Sequence, residues 1–214
     1  VWSDWRNDFG QGIDIWAYNF KTDKKYPLIV KSDVQAPAEL TNRYLIYHDY
    51  NSSHGNDIWV YDLKKNKDRL IISGSGDQSV VGIWKNKIYF IEGYNRGGLY
   101  EYDLKTKTKK YLFWISNSHV AISKDILIWR DRSFNLTGYN LKKQRSFEIS
   151  DLNKDHQYGP NLYKNKLVWT GDSTYSGVFI KNLKTGQERK ISAQGSMANI
   201  FGQYVTWVQS DGIG

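Results

Sequence analysis

Two short signatures recur together along this chain about every forty residues. The first is an aromatic or basic residue, then Asp or Asn, then Leu or Phe, and successive Asp/Asn positions lie 43, 41, 37 and 42 residues apart. Its copies are Tyr18-Asn19-Phe20, Tyr61-Asp62-Leu63, Tyr102-Asp103-Leu104, Tyr139-Asn140-Leu141 and Lys181-Asn182-Leu183. A short apolar run that ends in an aromatic residue precedes each copy, as in Tyr44-Leu45-Ile46-Tyr47 and Lys166-Leu167-Val168-Trp169. Two signatures in one phase indicate that a single structural module is repeated.

Each repeat is predicted to form four short strands, here called a to d. In the third repeat they are Ser79–Ile83, Lys87–Ile91, Leu99–Leu104 and Lys110–Phe113. The pieces have alternating or continuous apolar character and are separated by Gly, Asn, Asp and Lys turns, while no window predicts a helix. Asn86 and Asn165 are expected to take the positive φ of tight a–b turns, and Gly186 that of a c–d turn.

Four-stranded units that repeat at 40–45 residues are typical of β-propeller blades, whereas solenoid repeats are usually shorter or helical. The run Val1-Trp2-Ser3-Asp4-Trp5-Arg6-Asn7, followed by Asp14-Ile15-Trp16-Ala17-Tyr18-Asn19, resembles the TolB-like, PD40-type propeller repeat. Lys166-Leu167-Val168-Trp169, followed by the segment 178–186, resembles it too. The resemblance covers essentially the whole chain and implies an all-β propeller from a bacterial or archaeal cell-surface or envelope protein. The Ser-Pro-Asp-Gly turn frequent in that family is missing.

The repeats predict a single domain over residues 1–214 with five blades. The units are approximately 1–32, 33–73, 74–115, 116–150 and 151–192, followed by closing strands in 193–214. The last segment supplies strands a and b only, so we expect these to join strands c and d of the first repeat, with Val1-Trp2 displaced beside Val205–Val208. If the chain belongs to a longer array, the ring has six or more blades.

Charge sorts by loop type. Strands that run up and down in order bring the a–b and c–d turns to one face and the b–c and d–a loops to the other. Most of the 30 Lys and Arg residues fall in the a–b and c–d turns, although the net charge is only +8. Solubility is the simpler explanation of this Lys-rich face. Attraction to an anionic polymer is the alternative, whereas sequence-specific nucleic-acid recognition is not predicted because no recognition helix is present.

The opposite, loop-bearing face carries the candidate binding residues. An acid follows strand b in every copy, at Asp4, Asp49, Glu92, Asp131, Asp172 and Asp211. Recurrent turn acids most often cap backbone N–H groups, so residues that break the repeat are the better functional candidates. The four histidines, His48, His54, His119 and His156, all map to this face. The predicted ligand-binding set is Asp4, Trp5, Arg6, His48, Asp49, Tyr50, Glu92, Tyr94, Asp131, Arg132, Asp172 and Tyr175.

The sequence predicts no catalytic residue, metal site or cofactor. Cysteine is absent, which excludes disulfides, thiolate nucleophiles and cysteine metal ligands. The oxygen-rich loops favour calcium over zinc, but they contain no EF-hand motif. No segment has the roughly 18 consecutive apolar residues of a membrane helix.

Three functions compete. The favoured one is a non-catalytic module that binds a protein segment or a glycan through loop-face aromatic residues and carboxylates. A glycoside hydrolase or lyase on a five-bladed propeller is the first alternative, which needs two converging carboxyls. A structural unit of a surface array is the second. The resemblance implies an extracellular, cell-surface or periplasmic location, which two sequons, Asn51-Ser52-Ser53 and Asn135-Leu136-Thr137, would suit.

Overall fold

A computed structural model describes residues 1–4, 12–51, 55–74, 76–93, 97–115, 119–149, 157–171 and 176–209. Over these ranges the chain forms 21 β-strands and no helix. It therefore contains, as far as it is described, no helix that could span a membrane. The predicted all-β class is confirmed.

The strands form six antiparallel sheets. The first contains β1 (Trp2–Asp4), β2 (Asp14–Asn19) and β3 (Lys24–Ile29). The second contains β4 (Val34–Leu40), β5 (Tyr44–Asn51), β6 (Gly55–Asp62) and β7 (Lys67–Ile72). The third contains β8 (Gln78–Trp84), β9 (Lys87–Glu92), β10 (Gly97–Asp103) and β11 (Thr108–Ile115). The fourth contains β12 (Val120–Ser123), β13 (Ile126–Arg130), β14 (Leu136–Asn140) and β15 (Arg145–Glu148). The fifth contains β16 (Gln157–Tyr163), β17 (Lys166–Gly171), β18 (Gly177–Asn182) and β19 (Glu188–Ser192), and the sixth β20 (Ser196–Phe201) and β21 (Tyr204–Val208).

Each predicted repeat contains one of these sheets. The second to fifth sheets have the full a-b-c-d strand order, with sequential strands adjacent. Within each of these four sheets the a–b and c–d turns therefore lie at one end and the b–c loop at the other. The blade-like, four-stranded antiparallel unit inferred from the repeat is confirmed.

The expected closure of the first sheet by the C-terminal strands is wrong. β1 fills the place beside β2, with Trp2 opposite Trp16 and Asp4 opposite Asp14. β1 has the apolar-Trp-x-acid pattern of a b strand, and it is close to β2 in sequence, so pairing it closes a short loop at low entropic cost. β20 and β21 form a two-stranded sheet of their own. The number of blades stays a prediction.

The chain divides into two compact units, Val1–Gly82 with Ile88–Phe113, and Ile83–Lys87 with Trp114–Gly214. The core of the first unit includes Ile15, Ile29, Leu45 and Tyr47, which join the first and second sheets. Two clusters in the second unit join the fourth to the fifth sheet and the fifth to the sixth. The central residues of β5, β9, β13 and β17 are 0–7% exposed. Strand b is thus buried on both faces, which explains its continuous apolar run.

The Asp/Asn of the repeat signature caps the c–d turn in all five copies. Its Oδ1 accepts hydrogen bonds from the backbone N–H groups two and three residues later, at 2.8–3.4 Å. The acceptors are Asn19, Asp62, Asp103, Asn140 and Asn182. An Asx turn of this kind satisfies backbone donors that the hairpin leaves unpaired.

The turns also need one residue with positive φ. In the c–d turns it lies four residues after the capping Asp or Asn, at Asp23, Asn66, Lys107, Gln144 and Gly186. The expectation for Gly186 is confirmed. In the a–b turns positive φ falls on Lys85 and Lys164, so the expectation for Asn86 and Asn165 is wrong by one residue. Asn165 instead donates its side-chain amide to Asn182 Oδ1 at 2.7 Å.

Removing one cap should destabilise the protein without changing its fold. Asn140→Ala deletes an oxygen that accepts from the Lys142 and Lys143 N–H groups, and we expect it to lower the free energy of unfolding by about 1 kcal/mol. Asn140→Ser also loses the side-chain amide that donates to Asp125 Oδ2 at 3.5 Å, but it keeps a side-chain oxygen that can cap the turn, so it should stay nearer to wild type. Urea denaturation measures both, and equal midpoints for Asn140→Ala and wild type would contradict the capping role.

Candidate functional site

Seven of the twelve predicted binding residues are described by the structure. They are Asp4, His48, Asp49, Tyr50, Glu92, Asp131 and Arg132, and each lies at the end of a b-type strand or directly after it. Trp5, Arg6, Tyr94, Asp172 and Tyr175 lie outside the described residues, so their role stays a prediction. His54 and His156 are outside them as well.

Asp49 holds a lysine of its own chain. Lys31 Nζ lies 3.1 Å from Asp49 Oδ2 and 3.1 Å from Asp68 Oδ2. The Gln35 side-chain amide donates to Asp49 Oδ1 at 2.9 Å. The ammonium group also lies 3.2 Å from the centroid of the Trp59 ring, a cation–π arrangement. The Lys31 ammonium and the Asp49 carboxylate therefore both have partners within the protein.

The same cluster fixes the ionisation of two further groups. Burial raises the pKa of the Asp68 carboxyl, but hydrogen bonds from Tyr47 and Lys31 outweigh this effect and hold its pKa below the usual value. Burial, helped by the hydrogen bond to Asp68, raises the pKa of the Tyr47 hydroxyl far above its ordinary value. Tyr47 therefore remains a neutral donor to Asp68, at 2.5 Å.

Glu92 is engaged in a similar way in the third sheet. Its carboxylate forms an ion pair with Lys109. Lys109 Nζ also lies 4.3 Å from the centroid of Tyr100, and the Tyr100 ring stacks on Phe90. A lysine beside a strand-b acid and a stacked aromatic pair is thus a recurrent element of the module.

Asp131 and Arg132 belong to one loop after β13. Asp131 Oδ1 accepts from the backbone N–H groups of Ser133 and Asn135 at 2.9 and 3.0 Å. Asp131 is therefore a turn acid, as repeated acids usually are. The exposed Arg132 guanidinium lies 4.5 Å from the centroid of Trp114.

Asp4 and Tyr50 have simpler surroundings. Asp4 Oδ2 accepts a hydrogen bond from the Trp2 indole N–H at 3.2 Å, so it too has a partner close to it in sequence. Tyr50 is exposed at the end of β5. Among the seven described residues of the predicted set, those that lie side by side are consecutive in sequence, residues 48–50 and 131–132.

A cavity in the second unit was not predicted. It measures about 700 Å³ and lies between the beginnings of β16 and β20 and the ends of β13 and β17. Its lining is His119, Arg130, Tyr158, Gly159, Pro160, Asn161, Thr170, Gly171, Gly195, Ser196, Met197, Ala198 and Asn199. His119 is one of the four loop-face histidines, whereas none of the seven predicted binding residues with a described position lines the cavity.

Two aromatic rings flank Arg130, the one arginine among the described lining residues. Arg130 lies 4.8 Å from the centroid of Phe134 and 4.5 Å from that of Tyr158. Arg130 and Thr170 occupy the same place in β13 and β17, directly after the aromatic residue of strand b. This wall of the cavity could have been found from the sequence, because in each strand a polar residue interrupts the apolar run.

A second missed signal is a glutamine at the beginning of strand a. Gln35, Gln78 and Gln157 are 0–2% exposed. Gln35 and Gln78 donate to the backbone carbonyls of residues 33 and 76, at 2.6 and 2.7 Å. Neither side-chain amide atom of Gln157, next to Tyr158 of the cavity wall, has a hydrogen-bond partner within the described ranges.

The described lining of this cavity is polar and aromatic. It supplies amides, hydroxyls, a guanidinium, an imidazole and aromatic surface, but no carboxylate. The described lining therefore does not contain the pair of carboxyl groups that a glycosidase needs. Among the residues with defined positions, no group of three His, Cys, Asp or Glu could hold a metal ion.

Comparison with known proteins gives the fold. No family model and no curated protein matches the sequence. Among solved structures, TolB from Acinetobacter baumannii matches with a TM-score of 0.61 and 13% identity over 94% of this chain and 58% of TolB. The chain has a TolB-like β-propeller fold.

Two enzymes show the same likeness. The acylaminoacyl peptidase of Pyrococcus horikoshii matches with a TM-score of 0.66 and 14% identity over 92% of this chain and 38% of that one. An oligogalacturonate lyase solved with manganese matches with a TM-score of 0.57 and 10% identity, over 85% and 59%. The chain thus spans less than two thirds of all three structures. At this identity the matches show a shared fold and carry no argument about activity.

Acidification should destabilise the protein through His48. Burial lowers the pKa of His48, although the Asp77 carboxylate opposes this, and His48 Nε2 accepts a hydrogen bond from the Val80 N–H at 3.2 Å. The unfolded chain therefore takes up a proton that the fold excludes. This contribution to the free energy of unfolding is present above about pH 6.5 and is lost as the pH falls below it.

Urea unfolding at about pH 7.5 and about pH 5 measures the effect. His48→Gln should lose less stability on acidification than wild type, while Tyr50→Ser, at an exposed neighbouring position, should lose as much as wild type. Equal losses in all three proteins would show that His48 is not the titrating group.

Proposed function

We propose that this chain is a non-catalytic binding module that holds a short segment of another protein in the cavity of its second unit. The observation that carries the proposal is the cavity itself. Its volume of about 700 Å³ lies within the range of about 300–1,000 Å³ that is usual for ligand sites.

The lining favours a peptide over a glycan. Gly159 of the lining lies at a register shift between β16 and β17 and has no partner in the described strand ladder, which suits main-chain hydrogen bonding to an extended segment. Met197, 80% exposed at the cavity, is an adaptable apolar contact of the kind found at protein-binding surfaces. A sugar would have only the Tyr158 ring as an aromatic platform in the described lining and no carboxylate for its hydroxyl groups.

The enzyme alternative has less support. The peptidases and the lyase among the structural matches share a fold with this chain at 10–14% identity, which is no argument for catalysis. A surface-array unit also remains less favoured, because an array gives no reason for a polar cavity.

We include an exported, envelope-associated location in the proposal on the strength of the family resemblance alone. The sequon at Asn135 lends it no support, because Asn135 is only 8% exposed and Leu136 begins β14. The sequon at Asn51 lies partly outside the described residues. We attribute the Lys-rich turns to solvation rather than to an anionic polymer.

Filling the cavity should weaken ligand binding. Selection from a displayed library of short random peptides, alongside a glycan array, identifies the ligand class. We expect enriched peptides that compete with one another for one site. Ser196→Trp, at an exposed position of the lining, should weaken them at least about tenfold, as expected for loss of more than 1.4 kcal/mol.

Ser146→Trp is the matched control, because Ser146 is an exposed residue of β15 that does not line the cavity. It should bind like wild type. Glycan binding without peptide binding, or peptide affinities that Ser196→Trp leaves unchanged, would contradict the proposal. Turnover of a bound substrate would contradict its non-catalytic part.

A further inference from the structure

The second sheet contains an internal binding site for a carboxylate. Gln35 in strand a and Asp49 in strand b are opposite each other, and Gln35 Nε2 donates to Asp49 Oδ1 at 2.9 Å. Lys31 Nζ lies 3.1 Å from the other carboxylate oxygen, Oδ2. Gln35 is fully buried, so its amide is held in place for this contact. One buried amide and one cation thus bind the strand-b acid of the module.

The fifth sheet keeps the amide, but a glycine replaces the acid opposite it. Gln157 has the place of Gln35 at the beginning of strand a, and its partner in the strand ladder is Gly171. Asp172, the acid of this repeat, comes one residue later and lies outside the described residues. Gln157 is 1% exposed, and neither of its side-chain amide atoms has a hydrogen-bond partner within the described ranges. Because a buried amide without an acceptor is costly, this one indicates a place for an added acceptor.

The place beside Gln157 is continuous with the cavity. Residues that are opposite each other in an antiparallel ladder direct their side chains to the same face of the sheet. A carboxylate at Gly171 would therefore lie beside the Gln157 amide, as Asp49 lies beside Gln35. Gly171 has no side chain and lines the cavity. A ligand group that enters over Gly171 can thus reach the Gln157 amide.

Arg130 supplies a cation between the same two sheets. Its position in strand b contacts strand a of the next sheet elsewhere in the chain, since Ser3 Oγ donates to the Gln35 carbonyl and His48 Nε2 accepts an N–H of β8. Arg130 likewise reaches β16, where its guanidinium lies 4.5 Å from the centroid of Tyr158. A guanidinium has five N–H donors, so it can bind a ligand oxygen in addition to the contacts it makes within the chain. The described lining contains this cation and no carboxylate, which favours an anionic ligand group.

We propose that the cavity of the second unit binds an acidic group of its peptide ligand. The ligand carboxylate takes the place that Asp49 has in the second sheet, accepts a hydrogen bond from Gln157 Nε2 and pairs with Arg130. This inference rests on the proposed function, because it specifies the ligand of the same cavity. The carboxylate belongs to an Asp or Glu side chain or to the C-terminus of the partner.

Gly171→Asp tests the site without a ligand. Gly171 does not have positive φ, so its backbone is compatible with a side chain. We expect Gln157 and Arg130 to stabilise the introduced carboxylate, so that NMR titration gives an acid dissociation constant at least about tenfold larger than that of an exposed Asp. Adding Arg130→Gln should remove most of this increase. An introduced carboxyl group that titrates like an exposed Asp would overturn the inference.

Peptide binding measures the preference directly. Peptides enriched from the displayed library on the wild-type protein are synthesised with amidated C-termini, in their acidic form and with Asp or Glu replaced by Asn or Gln. By fluorescence anisotropy, the acidic form should bind at least about tenfold more tightly, as expected for a charge-assisted hydrogen bond. A preference that appears only with a free C-terminal carboxylate would assign the same site to the end of the partner chain.

The ratio of the two affinities locates the bound carboxylate. Gln157→Met and Arg130→Gln should each reduce the preference to less than about threefold, because each removes a donor. Arg130→Gln keeps the test valid if Gln157→Met fails to fold. Arg145→Gln, at an exposed position of β15, is the matched control and should keep the full preference. Gly171→Asp should weaken the acidic peptides more than Gly171→Asn, which has the same size without the charge.

The outcomes separate this inference from the proposed function. Peptides that bind in the cavity without preferring an acid would overturn the inference and leave the proposed function in place. A preference that neither Gln157→Met nor Arg130→Gln reduces would overturn it too. Failure of every peptide to bind, or binding that Ser196→Trp leaves unchanged, would contradict the proposed function and the inference with it.

Discussion

Complete coverage of strand b is the constraint on which this structure depends. Each b strand is a nearly continuous apolar run, so it needs a neighbour on both edges and burial on both faces. β5, β9, β13 and β17 meet all these conditions and are almost inaccessible to solvent. The Asx-capped c–d hairpins supply the strands on the outer side, which explains why the capping Asp or Asn recurs as faithfully as the apolar run itself.

The same constraint decides what the loop-face acids do. Because Asp49 and Glu92 end buried strands, their charges need partners nearby, and Lys31 and Lys109 supply these over stacked aromatic rings. Asp131 is satisfied by its own loop. Acids that complete the module in this way are poorly available to a ligand. The proposed binding cavity instead lies where the repeat is broken, at the polar interruptions of strand b in the second unit.

Much of the fold could be predicted from the sequence. Strand order, turn position and burial depend on local patterns, and the same patterns recur in every repeat. The contacts of Lys31 could not be predicted, since it reaches Asp49 in the next repeat and no pattern marks such a pair. The strand that pairs with β2 was also predicted wrongly, because β1 and β21 carry similar b-type sequences and only loop length separates them. The cavity was missed because Arg130 and Thr170 converge from different strands, although each interrupts the apolar run of strand b in a visible way.

Amide hydrogen exchange, measured for each residue by NMR, is the most direct test of whether coverage of strand b determines how strongly that strand is protected from unfolding. The account predicts that the N–H groups of Leu167 and Trp169, which face β18, exchange only through large-scale unfolding. The N–H groups of Val205 and Trp207, at the same places in β21, should exchange at least about a hundredfold faster. Equal protection of the two pairs would show that β21 is already covered, and would contradict the account.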